Sequence, residues 1–196
     1  MAIVINGNGT VTGISVGGLP DGIVDAGTLA TNSVDSAELI DGSIDTAHIG
    51  TDQITSAILP AGSVIQVVQA VSTTQTVVGT SATACSPTVT ITPASASNKI
   101  LVKFNTGGMA NGDMNGIRLQ INRDTTVIKY SVRYAFNTQS AWAACPIDYE
   151  FLDSPSTTSA TTYTLVAYKQ SDAGGFEINS SGGTDSSTAI AMEIKG

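Results

Sequence analysis

The sequence predicts a mainly β protein in two parts: an N-terminal decad-repeat shaft in which several chains intertwine, and a C-terminal antiparallel β-sandwich or jelly roll. Three observations carry this. Aromatic residues make up 5% of the chain and charged residues 12%, with Ser, Thr, Gly, Ala and Asn between short apolar runs, a profile of strands and turns rather than long helices. Residues 22–59 repeat with a period of ten. Beyond residue 60 the apolar period switches to two.

In chain order, "AIVINGNGTVTGISV" predicts two short strands around Asn-Gly turns, because Asn and Gly accept the positive φ that tight hairpins need. "GGLPDG" then breaks regular structure. Residues 1–20 are thus a small β element, too short to fold alone.

The repeat of residues 21–60 can be checked column by column. Val24, Val34, Ile44 and Ile54 form one aliphatic column, Leu29, Leu39, Ile49 and Leu59 a second, and Asp25, Asp35, Asp45 and Thr55 follow the first. Each copy reads as a short extended piece, an Asp or Thr N-cap and about one helical turn. Burying two aliphatics contributes roughly 1.5–3 kcal/mol apiece, while ordering ten backbone residues costs roughly 1–2 kcal/mol each. One copy cannot stand alone. Either successive copies coil into a solenoid, or identical chains wrap so that these eight aliphatics meet on a common axis. About two coils of a pentapeptide-like solenoid would fit, too few for stability, so the expectation is an intertwined oligomer.

Residues 61–196 are long enough to own a core. "GIRLQIN" sets Ile117, Leu119 and Ile121 opposite Arg118, Gln120 and Asn122, and "IKYSVRYAF" alternates in the same way. Further strands are expected at 64–71, 88–91, 100–105, 147–152, 163–168, 176–179 and 189–195, giving about nine short strands in a sandwich.

Formal charge is −8, which argues against nucleic acid or anionic membrane as a partner of a basic surface. Residues 1–60 hold seven acidic residues and no Lys or Arg, whereas 61–196 hold nine acidic and all eight basic ones. No apolar run approaches the roughly 20 residues of a membrane span, and "MAIVINGNG" lacks the features of an export signal. Cys85 and Cys145 are too few for a disulfide scaffold, and their pairing stays open.

Catalysis finds little support. His48, the one histidine, sits inside the repeat, so a Ser-His-Asp arrangement has no base beside the sandwich. Asp148 and Glu150 of "PIDYEFLD" share the strand face turned away from Ile147, Tyr149 and Phe151, where solvated charges belong. The Asp25, Asp35 and Asp45 column is explained by N-capping, and neither a metal nor another cofactor is expected. Recognition would fall on loops at 107–116, 171–175 and 180–187. Asn111, Asp113, Asn115, Gln139 and Trp142 are the candidate receptor-binding residues; Trp142 either stacks on a sugar ring or fills the core.

"INGNGTVTGISVGGLPDG", decads of the "GSIDTAHIG" kind, "GSVIQVVQAV", "TITPASASNKILV", "FLDSPSTTSATTYTLV" and the ending "AIAMEIKG" together resemble bacteriophage tail fibre proteins, particularly those of marine and cyanobacterial phages. The resemblance implies a homotrimer located in the virion tail. Residues 1–20 would dock on baseplate or tail proteins, 21–60 would form the shaft, and 61–196 a knob that contacts host-surface glycan. A structural connector or decoration protein is the alternative it leaves.

Overall fold

The computed structural model describes residues 4–5, 11–12, 34, 39, 42–111, 114–131, 134–136, 142–170, 174–179 and 186–196. The chain divides into two compact units, 1–53 and 54–196. The final copy of the repeat therefore goes with the sandwich, a boundary a few residues earlier than the sequence suggested.

In the first unit β1 (Val4–Ile5) pairs antiparallel with β2 (Val11–Thr12), the short hairpin that the Asn-Gly signals predicted. Of the repeat aliphatics, Val24 and Leu29 lie outside the described residues, as do Asp25 and Asp35. In the described stretch of the repeat, each decad carries a second turn beside the one expected after its Asp or Thr cap. A backbone turn closes every five residues: His48 N donates to Asp45 O (3.1 Å), Gln53 N to Gly50 O (3.2 Å), Ile58 N to Thr55 O (3.0 Å) and Ser63 N to Pro60 O (3.2 Å). Left-handed residues recur every ten, at Gly42 (φ 81°), Asp52 (φ 62°) and Gly62 (φ 88°). Positions 22 and 32 of the same column are Gly and Asn, again residue types that tolerate positive φ. Each described decad is thus a pair of tight turns. A left-handed residue in every second turn stops the chain before a helix can nucleate. Asp45 does cap locally, its Oδ1 accepting from Ala47 N (2.9 Å) and lying 2.8 Å from His48 Nδ1.

The second unit continues with β3 (Val64–Ser72), β4 (Thr76–Val77), β5 (Thr83–Ala84), β6 (Val89–Ile91), β7 (Lys99–Asn111), β8 (Met114–Arg123) and β9 (Thr126–Tyr130). It ends with β10 (Tyr134–Phe136), β11 (Trp142–Asp153), β12 (Thr161–Lys169), β13 (Gly175–Ile178) and β14 (Ser187–Ile194). No helix occurs among the described residues, so none is long and apolar enough to cross a membrane.

Every pairing is antiparallel, and the strands form two sheets. In the first sheet β7 pairs on one side with the whole of β11 and on the other with β14 and then β13, which are flanked in turn by β3 and β4. In the second, β8 lies between β12 and the pair β9 and β10, while β5 and β6 close the far side of β12. The two sheets share one core, with Ile100, Val102 and Phe104 of β7 and Phe176 of β13 against Ile117, Leu119 and Ile121 of β8 and Tyr163 and Leu165 of β12.

Interior space is fully used beneath Gly108. A Cβ there would lie 2.8 Å from Phe176 Cζ, 2.9 Å from Ile147 Cδ1 and 3.0 Å from Cys145 Sγ. Gly108→Ala is therefore expected to cost about 1–3 kcal/mol by overpacking, read as a melting temperature lowered by roughly 2–4 °C per kcal/mol. An unchanged melt would show that the ring of Phe176 moves freely.

Two buried polar networks fasten one end of the sandwich. Tyr163 donates from its hydroxyl to Asp153 Oδ2 (2.7 Å), and Arg123 Nη1 donates to both Asp153 oxygens (3.1 and 3.0 Å), tying β12 and β8 to β11. Burial, and then the bond to Asp153, push the Tyr163 hydroxyl well above its ordinary range. The second network surrounds Glu193, which is 0% exposed. Its carboxylate accepts from Asn98 Nδ2 (2.6 Å), Gln66 Nε2 (2.5 Å) and Ala94 N (2.7 Å). The last repeat copy is held at this same end. Lys195 Nζ donates to the carbonyls of Ala57 (3.0 Å) and Leu59, and Gly62 N donates to Lys195 O (2.8 Å).

Candidate ligand groove

A depression lies on the outer face of the first sheet, where the partner of β7 changes. Thr188 of β14 pairs with Asn105, whereas Ile178 of β13 pairs with Gly108. Between them the chain leaves the sheet at Asn179 and returns at Ser187. Asn179 takes a left-handed conformation (φ 57°), donates its N–H to Gly107 O (2.9 Å) and its Nδ2 to Ser72 O (3.2 Å). On the return, the hydroxyls of Thr106 and Ser187 bond to each other inside the sheet.

The groove so formed has a volume of about 580 Å³, and Asn105, Gly107, Met109, Ala144, Pro146, Asn179 and Ser186 are among its lining residues. Small residues make it: Gly107 on β7, with Ala144 and Pro146 on β11, leaves space where larger side chains would fill the surface. Gly107 has nothing within 4 Å of a Cβ position, so a side chain there would extend into the groove. Amides, hydroxyls and main-chain carbonyls line it without a charged side chain among the described residues. Such a surface can hydrogen-bond a polar neutral ligand.

Cys145 also borders the groove. Its thiol is half-buried, and burial pushes its pKa up, partly offset by a hydrogen bond at the Gly108 backbone. Cys85 is buried, and burial pushes it up to about 12 against a smaller opposing effect of the Ala167 backbone. Both thiols are free and stay protonated near neutral pH, which makes them poor nucleophiles.

The sequence candidates fall unevenly around this groove. Residues 107–111 belong to β7 and 114–116 to β8, so the recognition loop expected at 107–116 is mostly strand. Asn111 closes the end of β7, where its Oδ1 accepts from Gly175 N (2.6 Å), a structural bond rather than a free recognition amide. Trp142 opens β11 opposite Asn111 instead of lying between strands. The side chains of Trp142 and Asn115, and all of Asp113 and Gln139, lie outside the described residues. Asp148 and Glu150 sit as expected on the outer face, their carboxylates 3.0 and 4.0 Å from Lys103 Nζ. The hydrogen bond from Lys103 to Asp148, followed by the charge attraction, raises the Lys103 pKa.

Ala144, Pro146 and Asn179 were missed by the sequence reading, and Gly107 entered it only as the first residue of the recognition loop expected at 107–116. Each is an ordinary small or turn residue in isolation; only the register that sets Pro146 opposite Gly107 makes them neighbours.

Comparison with known proteins gives no family. No family model matches the chain, and no curated protein matches it. Among solved structures, the dimeric latent PorU of Porphyromonas gingivalis is similar over 56% of this chain and 10% of its own, at 10% identity and a TM-score of 0.33. The chain thus spans about a tenth of that protein's length, and a likeness this slight supports no inference about fold or function.

Proposed function

We propose that this chain is a non-enzymatic, homotrimeric bacteriophage tail fibre, which anchors to tail or baseplate proteins through residues 1–20 and presents its sandwich to host-surface glycan. The observation that carries the oligomer is the exposure of the repeat aliphatics. Val34, Leu39, Ile44, Ile49 and Ile54 follow one another every five residues, and each is 39% to 55% exposed in the single chain. A self-contained solenoid would turn this column inward and bury it. Open aliphatics at a strict spacing are what neighbouring copies would cover. That the copies number three, and that the assembly belongs to a virion, rests on the resemblance of the sequence segments to tail fibres.

Two further features favour attachment. The strand order of the sandwich, reading each interrupted strand as one, is that of jelly rolls, an architecture shared by viral capsid and lectin domains. Fold alone assigns no activity. The neutral groove of amides and hydroxyls suits a sugar, and several copies on one fibre convert a weak site into strong attachment.

Sedimentation equilibrium of the full chain should return three times 19.9 kDa; a stable monomer at micromolar concentration overturns the oligomer. Purified protein should label host cells and compete with phage adsorption, and Gly107→Trp should abolish labelling while leaving the mass unchanged. If wild-type protein labels nothing, the chain is a structural connector or decoration protein. If Gly107→Trp labels normally, the receptor site lies elsewhere on the sandwich.

A further inference from the structure

We infer that, within the C-terminal unit, copies of this chain meet through the outer face of the first sheet, at the end where the repeat enters. This rests on the homo-oligomeric reading above. The alternation of β14 on this face is inverted relative to ordinary amphipathic order. In β14 the small residues Ala189 and Ala191, with the charged Glu193, point into the core, and the larger Ile190, Met192 and Ile194 point outward. In β3, likewise, Val68 and Ala70 pack inward while Val64, Val67 and Val71 remain exposed.

Register joins these side chains across the sheet. Val67 is opposite Met192, Met192 is opposite Leu101, and Leu101 is opposite Leu152, so one apolar row crosses four strands. Val67 is 57% exposed and Leu152 45%. A second row sets Val64 opposite Ile194. Among the described side chains, the outer face of the other sheet carries Thr90, Thr162, Asn122, Arg118 and Gln120 and offers only Tyr130 as an exposed large apolar residue. A continuous apolar row on an exposed sheet face marks a surface that a partner covers.

The partner that fits is a second copy of this chain. The apolar rows lie at the end where Lys195 fixes the carbonyls of Ala57 and Leu59, and Val64 follows Ile54, the last of the exposed first-column aliphatics, by ten residues. Copies that meet at Ile54, which belongs to the same unit as the sandwich, bring this face together. Toward the opposite end the apolar row gives way to Lys103, Asp148 and Glu150 and then to the neutral groove, which supplies a polar rim. In a rotary assembly the contact is heterologous, with one side of the row meeting the other side on the next chain.

The test uses the full chain carrying Val67→Cys, Leu152→Cys, both together, Ile54→Cys, or Tyr130→Cys, with wild type as the blank. If the face is covered, Val67→Cys should alkylate with a bulky maleimide about tenfold or more slower than Tyr130→Cys. The double variant, treated with a bis-maleimide shorter than about 10 Å, should give covalently joined chains on a denaturing gel, because three strand spacings of roughly 4.8 Å separate the two positions within one chain. Fast alkylation at position 67 while Ile54→Cys still joins chains would overturn this interface and leave the oligomer standing. Slow alkylation without joined chains would overturn it in favour of cover by the chain's own N-terminal unit. A monomeric mass with no joining at position 54 would remove the oligomeric reading itself.

Discussion

Glu193→Ala should lower the stability of the sandwich by about 3 kcal/mol or more, because it removes three hydrogen bonds to a charged acceptor, one from the buried Asn98 amide and two from the part-buried Gln66 and Ala94 donors, bonds of this kind contributing roughly 1.5–3 kcal/mol each. The carboxylate joins β14 to Gln66 of β3, to the Ala94 amide and to Asn98 just ahead of β7, so its loss loosens three segments at once. At roughly 2–4 °C per kcal/mol for a chain of this size, thermal unfolding followed by circular dichroism should fall by about 6 °C or more. Glu193→Gln keeps an acceptor but brings an amine toward donors, so its loss should be intermediate. Equal melts for wild type and Glu193→Ala would show that water replaces the carboxylate without cost.

The same carboxylate sets a pH dependence. Burial alone would raise its pKa, but hydrogen bonds from Asn98, Gln66 and the Ala94 and Ser95 amides together hold it below the ordinary glutamate range. The folded protein therefore binds this proton less readily than the unfolded chain. Stability from this source is complete above the unfolded pKa, about 4.3, and is lost as pH falls through the lower folded value. The stability of wild type should decline with acid below about pH 5, and Glu193→Gln should lack that component of the decline. Parallel profiles for the two proteins would contradict the assignment.

The second large effect concerns the repeat. Val34→Asp combined with Ile44→Asp should convert the oligomer to monomers while the β signal of residues 61–196 persists. In a trimer the pair removes six aliphatic side chains from the shared column, each contributing roughly 1.5–3 kcal/mol, and places six carboxylates near one axis. Sedimentation and far-ultraviolet circular dichroism read the two consequences separately. Retention of the oligomer by the double variant would show that residues 34 and 44 are not in the contact, and would shift its origin to the sandwich face.

Much of the architecture was legible because it is written in local periods. Alternation placed β8 and β12 within a few residues of their observed bounds but ran β9 and β10 together as one strand, and Asn-Gly marked the first hairpin. The aliphatic repeat was legible as well. Its second turn was not, since the Gly42, Asp52, Gly62 column looks like variation until it is read as a backbone requirement for positive φ. Residues 107–111 looked like a loop because Gly and Asn dominate them; pairing with β11 on one side and β13 on the other overrides that local preference.

The sequence by itself determined the β character, the change of period near residue 60, and the repeat that one chain cannot bury, because these follow from side-chain spacing alone. Only the tertiary structure decided which face of β14 is inside. In "AIAMEIK" the large residues would ordinarily be assigned to the core, yet the core takes Ala189, Ala191 and Glu193. Asn98, Gln66 and the Ala94 amide make an ion tolerable there, and none of them is near Glu193 in sequence. The groove follows the same rule. Gly107, Pro146 and Asn179 become neighbours through long-range register, which depends on how two sheets close over a shared interior and leaves no periodic trace in the chain.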